Sequence, residues 1–253
     1  MYNMGNGYVH IINNMDFERL TSRQGSEVDV DLLKSFFQLS VNWNDFHIRK
    51  NQTVQEMKDE LATIARYDYT SYGAFFLIIL SHGTEYGLCG KDSNPNDPQN
   101  VLDVERDVLP LFASSKCPSL SEKPKVFIMQ ACRGNMDDNG HLVQTDAERT
   151  KPEPRQYRFV PDTSEYLLCY PCAPGYTSLR NTGEGSLFIR SLVLVFKEKY
   201  RDEDISRMLL RVNHNVALQN VTLRIKQMPS HDNRLTRLTF FEGFFINKRQ
   251  KIK

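Results

Sequence analysis

Two short, continuous apolar runs constrain the fold of this chain more than any other feature. Ala74 to Leu80 and Val126 to Met129 contain no charged side chain, and a glycine follows shortly after each of them. Such runs, bounded by turn residues, are typical of strands that are buried on both faces of a sheet. Ligands bind at the carboxyl ends of the strands in sheets of this kind. We therefore expect the chemistry of this protein where these two runs end.

Helical patterns alternate with strand patterns along the rest of the chain. Further strands are predicted at 8–13, 46–50, 166–170 and, in an aromatic segment, 238–245. Helices are predicted at 28–39, 53–66, 101–113, 186–200 and 202–219, with Thr53 and Glu56 forming a capping box. This alternation predicts the α/β class, with a mostly parallel central sheet covered by helices on both faces.

Composition and charge exclude several classes of protein. The chain has 253 residues, 40% of them apolar, which is enough to bury a substantial core. Its 32 basic and 31 acidic residues leave a formal net charge of only +1, too little for a nucleic-acid surface, so we expect no nucleic-acid partner. No apolar run is long enough to span a bilayer, and the amino terminus lacks a signal sequence. We expect no membrane association and a cytoplasmic location.

The five cysteines are an odd number scattered along the chain, which predicts free thiols in a reducing compartment. Cys169 and Cys172 have the spacing of redox and metal sites, but the sequence offers no second pair to complete a zinc site. It also lacks a glycine-rich loop that would cradle phosphate. We therefore predict neither a metal nor a cofactor.

A cysteine and a histidine occupy equivalent positions after the two apolar runs. Cys132 could attack a carbonyl carbon as its thiolate, and His82 could take the thiol proton and protonate the leaving amine. The N–H groups of Gly83 and Cys132 could stabilise the resulting oxyanion. A buried cysteine and an unrelated loop histidine would give the same pattern, so position alone leaves both interpretations open.

Several segments of the sequence resemble the caspase family. Gln130 to Gly134 (QACRG) resembles the active-site pentapeptide of caspases, and Ser81 to Gly83 resembles their histidine motif. Thr21 to Gly25 and Ser178 to Asn181 resemble their two basic loops. Together with the motifs at 123–125, 185–186 and 226–229, the resemblance covers residues 8–245.

The resemblance implies a six-stranded sheet and a cysteine endopeptidase that cleaves proteins after aspartate in apoptotic or inflammatory signalling. It implies that Arg23, Gln130 and Arg180 bind the substrate carboxylate, with Ser178 at the edge of the pocket, because guanidinium and amide groups pair well with carboxylates. Either arginine alone could instead be a solvated loop residue. The family orients its histidine by a backbone carbonyl, here that of Thr21.

Two positions depart from the family pattern. Thr177 and Leu179 stand where many caspases carry an aromatic pair, so the pocket for the second residue before the cleaved bond should be less aromatic. A catalytically weak regulator that binds an active caspase is the alternative that this departure leaves open.

The segment 135–164 is rich in aspartate, proline and charge, and we expect an exposed linker there. Self-cleavage after Asp146 is the preferred hypothesis, with Asp138 and Asp162 as weaker candidates, although an ordinary surface loop is the alternative. Cleavage would separate a large catalytic region (1–146) from a small one (165–253), the two forming one domain.

Several partners follow from the resemblance. They are protein substrates with aspartate before the cleaved bond, activating adaptors or inhibitors, and a second processed protomer. We expect the aromatic last strand to pair with its copy in a two-fold homodimer. The chain begins almost at its first predicted strand, so a removed amino-terminal prodomain is compatible with the sequence.

Overall fold

The computed structural model describes residues 1–94, 97, 99–134, 136, 161–218 and 226–242 of the chain. Its strands are β1 (Tyr2–Asn3), β2 (Gly7–Asn13), β3 (Phe46–Lys50), β4 (Ala74–Leu80), β5 (Gly83–Thr84), β6 (Gly87–Leu88), β7 (Lys125–Gln130), β8 (Tyr166–Tyr170), β9 (Arg180–Asn181), β10 (Gly185–Ser186), β11 (Ser230–Asn233) and β12 (Thr239–Phe240). Its α-helices are α1 (Ser26–Lys34), α2 (Val54–Ile64), α3 (Leu187–Lys199) and α4 (Ile205–Leu218).

A six-stranded sheet forms the centre of the molecule, in the order β11-β8-β7-β4-β2-β3. All neighbouring strands are parallel except β11, which runs antiparallel to β8. Every residue of β4 and β7 is buried, as expected for central strands of a sheet that is covered on both faces. The predicted mostly parallel six-stranded sheet is confirmed.

Helices cover both faces of this sheet, as predicted. Apolar residues of α1, α3 and α4 pack on one face. On the other face, α2 packs together with the short helical segment that ends at Phe112. Helix α2 begins with the predicted capping box, since Thr53 accepts from the N–H of Glu56 and the Glu56 carboxylate accepts from the N–H of Thr53.

Two of the predicted helices differ in the structure. The helix predicted at 101–113 is instead a π-helical turn, Val104–Val108, followed by a 3₁₀ turn, Leu109–Phe112. Pro110 explains this difference, because it has no N–H and its ring obstructs a continuous α-helix. The helix predicted at 28–39 begins earlier, and α1 continues after Lys34 as a π-helix, Ser35–Ser40.

The aromatic strand predicted at 238–245 is much shorter among the residues that the structure describes. Only Thr239–Phe240 is a strand there, and it pairs with β1 outside the central sheet. Phe240 and Phe241 are buried within the protomer, where their rings stabilise its own core. One edge of the central sheet is the polar strand β11, which sequence patterning did not reveal. Phe244 and Phe245 lie outside the described residues.

No helix among the described residues combines the length and apolar character that crossing a membrane requires. All five cysteines are free thiols, as expected.

Candidate active site

The register of the two central strands places Cys132 beside His82. Leu80 of β4 pairs with Gln130 of β7, and the N–H of Ser81 donates to the carbonyl of Gln130 at 3.2 Å. Cys132 and His82 therefore lie at equivalent positions, two residues beyond this last pair. Parallel pairing thus brings a thiol and an imidazole to one edge of the sheet.

His82 is oriented by the backbone of the loop that follows β2. Its Nε2 atom lies 2.8 Å from the carbonyl oxygen of Thr21. A carbonyl can only accept, so Nε2 carries the proton and Nδ1 is the basic nitrogen. Burial lowers the pKa of His82, the Thr21 hydrogen bond opposes this, and the charges of Arg23 and Arg180 lower the pKa further. The imidazole is therefore neutral at pH 7 and can accept a proton.

Gly83 lies in contact with the main chain of the nucleophile loop. A Cβ atom at this position would stand 2.4 Å from the carbonyl oxygen of Cys132 and 2.9 Å from the Cβ of Ala131. Only glycine allows the two strand ends to come this close. The main chain at Gly83 is thereby held close to the main chain at Cys132.

The thiol of Cys132 differs from the other four in its accessibility. Cys132 is partly exposed, whereas the remaining cysteines are buried. Burial raises the pKa of the thiols of Cys89 and Cys172 to about 11, and it raises those of Cys117 and Cys169 as well. A nucleophile must be a thiolate that substrate can reach, so Cys132 is the candidate.

Two cavities open beside this thiol. One, of about 590 Å³, includes His82 and Gly83 in its wall, and the other, of about 450 Å³, includes Cys132. Both have the size of ordinary ligand sites.

Arg23 is buried at the base of the site, with 1% of its surface exposed. One of its terminal nitrogens donates to the carbonyl of Asn14 at 3.2 Å and to Oγ of Ser26 at 2.7 Å. Burial lowers its pKa to about 10, the charge of Arg180 acts in the same direction, and that of Asp29 opposes it. The guanidinium therefore keeps its charge at pH 7.

Arg180 acts electrostatically on this buried cation, and Gln130 is the last residue of β7, two residues before Cys132. Arg180 is half-buried and its Nε donates to the carbonyl of Gln24 at 3.0 Å. The Gln130 side chain is buried, its Nε2 lies 3.4 Å from Oγ of Ser178, and its Oε1 has no partner among the described residues. Both guanidinium groups interact electrostatically with Cys132, and the amide reaches Ser178, which contacts the same sulfur, so the donors near the thiol suit a carboxylate.

Similarity to known proteins identifies the family. Residues 6–240 match the family model of the caspase domain. The chain belongs to the caspase family. It is 36% identical to caspase-7 of Gallus gallus over 217 residues, which are 82% of this chain but only 65% of that relative. It is 30% identical to caspase-3 of Bos taurus, over 93% of this chain and 84% of the relative.

A solved structure gives the same result for the fold. The crystal structure of caspase-1 from Spodoptera frugiperda has a TM-score of 0.79 and 28% sequence identity, covering 96% of this chain and 92% of that one.

The loop before β9 in this caspase domain contacts the nucleophile. The N–H of Ser178 donates to Sγ of Cys132 at 3.3 Å, and Oγ of Ser178 lies 3.6 Å from the same sulfur. Thr177 donates its N–H to the carbonyl of Met136, and Leu179 donates to the side chain of Gln227 at 2.7 Å. Thr177 and Leu179, on either side of Ser178, are therefore each held by a hydrogen bond to another segment of the chain.

Of the three predicted cleavage residues, the structure describes only Asp162, which is not near Cys132. Asp162 lies just before β8, at the opposite end of the sheet, and its carboxylate accepts from the N–H of Ser115 at 3.0 Å. Asp138 and Asp146 lie outside the described residues. Within the described ranges no group of three or more His, Cys, Asp and Glu side chains could hold a metal ion.

Sequence reasoning missed the carboxylate behind the two arginines. Asp29 is fully buried in α1, where it accepts from the N–H of Ser186 at 2.7 Å and from its hydroxyl at 2.5 Å. Burial raises its pKa, and the hydrogen bonds from Ser186 and the charges of Arg23 and Arg180 oppose this. Helical spacing could have revealed this buried acid. It lies on the same face of α1 as three other buried residues, Ser26, Val30 and Leu33.

Proposed function

We propose that this chain is a cysteine endopeptidase that cleaves proteins after aspartate. The observation that carries the proposal is the placement of the buried Arg23 and the half-buried Arg180 beside the accessible thiol of Cys132. Both guanidinium groups interact electrostatically with Cys132. A cationic pocket next to a nucleophile selects a substrate with an anionic side chain at the bond that is cleaved.

The residues can carry the reaction in two steps. The Cys132 proton passes to Nδ1 of His82, and the sulfur forms a bond to the substrate carbonyl carbon. The C–N bond then breaks as His82 returns the proton to the leaving amine, which leaves a thioester. Water, deprotonated by the same imidazole, adds to the thioester and releases the thiol and the new carboxylate. The N–H groups of Gly83 and Cys132 stabilise the oxyanion in both steps.

Aspartate is the preferred residue before the cleaved bond. A carboxylate that loses water on entering this pocket needs charged hydrogen-bonding partners, which Arg23, Arg180 and Gln130 supply. Glutamate carries the same charge on a chain longer by one methylene, a difference worth about 1–3 kcal/mol in a fitted pocket.

We include self-processing in this proposal. Cleavage after Asp146 would yield a large fragment, 1–146, and a smaller one that begins in the linker and contains 165–253. The acid-rich sequence of the linker supports Asp146, because it places aspartate before the small residue Ala147.

We also propose a homodimer of processed protomers in the cytoplasm that acts in apoptotic or inflammatory signalling. Strand β11 is the last strand of the central sheet in chain order, and its outer edge has no strand partner among the described residues, so the dimer would form there rather than at the aromatic segment. An unpaired edge strand is a ready surface for pairing with a second copy.

A reporter assay tests the proposed activity. Purified chain is incubated with tetrapeptide amides ending in Asp, Glu or Asn, alongside Cys132→Ala and the matched control Cys117→Ala, which alters a buried thiol. We expect hydrolysis after Asp with the intact chain and with Cys117→Ala, and none with Cys132→Ala. Hydrolysis that is the same in all three proteins would overturn the proposal. No hydrolysis by any of them would favour a catalytically weak regulator.

A further inference from the structure

A third cavity, of about 440 Å³, lies far from Cys132 at the amino-terminal end of β7 and β8. It occupies the sheet face that α2 covers. Its apolar wall consists of Leu109, Pro110, Phe112, Phe127 and Leu168. The ring centroids of Phe112 and Phe127 are 5.7 Å apart, and the Tyr166 ring continues this aromatic surface. The volume and the wall are those of a small-molecule site.

A buried cation also lines this cavity. Lys125, the first residue of β7, has 2% of its surface exposed. Its Nζ lies 3.4 Å from the carbonyl oxygens of Leu120 and Lys123, and no described residue forms an ion pair with it. Glu165 acts on it electrostatically, but the Glu165 carboxylate is already bound to the hydroxyl and N–H of Thr236. A buried ammonium without an anionic partner is costly.

Burial has a measurable consequence for this ammonium. It lowers the pKa of Lys125 to about 8, so part of its population is neutral in solutions only slightly more basic than physiological pH. An anion bound beside it would restore the charged form.

The rim of the cavity limits the charge that a ligand can carry. Asp232 and Arg234 pair with each other at 3.0 Å, and the Asp162 carboxylate is bonded to the N–H of Ser115. Glu105 and Lys116 stand at the rim without an ion-pair partner among the described residues. Three carboxylates around the entrance repel an anion of high charge more than a monoanion.

We propose that this cavity binds a compact monocarboxylate, whose apolar body packs on the rings of Phe112 and Phe127 and whose carboxylate pairs with Lys125. The carboxylate would supply the anionic partner that Lys125 lacks, and the apolar body would replace water at the wall. The proposal is independent of protease activity, because no residue of the cavity belongs to the candidate active site.

Calorimetric titration of the folded chain tests the proposal, with 4-tert-butylbenzoate as the probe and 4-tert-butylbenzamide and inorganic phosphate as comparisons. We expect the benzoate to bind at least about tenfold more tightly than the amide, since a hydrogen bond to a charged group is the difference between them. Lys125→Met should remove this advantage. Lys116→Met, which deletes an exposed lysine at the rim, should change the affinity by no more than about twofold.

Equal affinity for benzoate and amide, unchanged binding by Lys125→Met, or equal competition by phosphate would each overturn the proposal. If Lys125→Met does not fold, a chemical protection experiment on the unaltered chain tests the same contact. Acetylation of lysines by acetic anhydride is followed by mass spectrometry with and without benzoate. Protection of Lys125 relative to the exposed Lys34 supports the proposal, and equal rates for Lys125 with and without benzoate overturn it.

Discussion

Nε2 of His82 lies 2.8 Å from the carbonyl oxygen of Thr21, a contact between residues that are far apart in sequence. This contact assigns the proton to Nε2 and leaves Nδ1 as the base. Among the described residues, no side chain is bonded to His82 in the orienting role that an aspartate or asparagine fills in other nucleophilic sites. The catalytic state of the imidazole therefore depends on a main-chain atom and on burial.

The pH dependence of activity should follow from this burial. The pKa of His82 is lowered, so the neutral imidazole persists as pH falls past 6.5, the ordinary value for histidine. We expect the acidic limb of kcat/KM to lie below pH 6.5. The Phe17 ring, whose centroid is 4.8 Å from that of His82, helps to exclude water, so Phe17→Ala should move the limb to higher pH. Profiles with the limb above pH 6.5 in the unaltered chain would contradict this account.

Gly83 should be intolerant of any side chain. Because a Cβ there would lie 2.4 Å from the carbonyl oxygen of Cys132, Gly83→Ala should displace one strand end and disturb the oxyanion site. We expect kcat to fall by at least about 10²-fold. Gly183→Ala is the matched control, since its nearest neighbour would be the Asn181 side chain at 3.6 Å. A similar loss in both variants would argue against a role of close packing at Gly83.

Arg180→Lys should weaken recognition of aspartate while leaving the nucleophile intact. Lysine keeps the charge but loses the planar fork that pairs with a carboxylate, so kcat/KM for an Asp reporter should fall by about 10- to 100-fold. The thiolate should still react with iodoacetamide at the rate of the unaltered chain. Arg190→Lys, on α3, serves as the control and should leave both measurements unchanged.

Processing should spare Asp162. Its carboxylate is bonded to the N–H of Ser115, and residues 161–164 form a turn closed by the Ser164 N–H and the Pro161 carbonyl at 2.9 Å. Binding in an aspartate pocket would require both contacts to break. Mass spectrometry of the processed chain should show a fragment ending at Asp146, and Asp146→Ala should block cleavage where Asp162→Ala does not. The reverse pattern would contradict the prediction.

His231 should contribute to acid sensitivity of the fold. Burial lowers its pKa to about 4, while in the unfolded chain the value is about 6.5, so the unfolded state binds more protons between these limits. Stability is therefore present above pH 6.5 and is lost as pH falls towards 4, at about 1.4 kcal/mol per pKa unit. Urea unfolding of His231→Gln should show a weaker pH dependence in this window. His214→Gln, an exposed histidine on α4, should behave like the unaltered chain.

Strong local patterns determined most of the sheet. The continuous apolar run Ala74 to Leu80 and the strand at 166–170 have the predicted bounds, because length and burial leave few alternatives for such segments. The apolar pattern predicted the helix at 101–113 less well, because Pro110 interrupts it and the segment forms two short helical turns instead. It failed for β11, whose polar residues Ser230 to Asn233 gain strand structure only by pairing with β8.

By itself, the sequence determined the two central strands, the residues that follow them and the family motifs around Cys132 and His82. It could not determine which distant groups would surround those residues. The carbonyl of Thr21 was expected beside His82 only from the family resemblance, and the tertiary structure places it there. The tertiary structure also brought the buried Asp29 to the arginines, and it exposed Cys132 while burying the other thiols. The physical reason is that periodicity and motifs report local preference, whereas desolvation and charge depend on residues that only folding brings together.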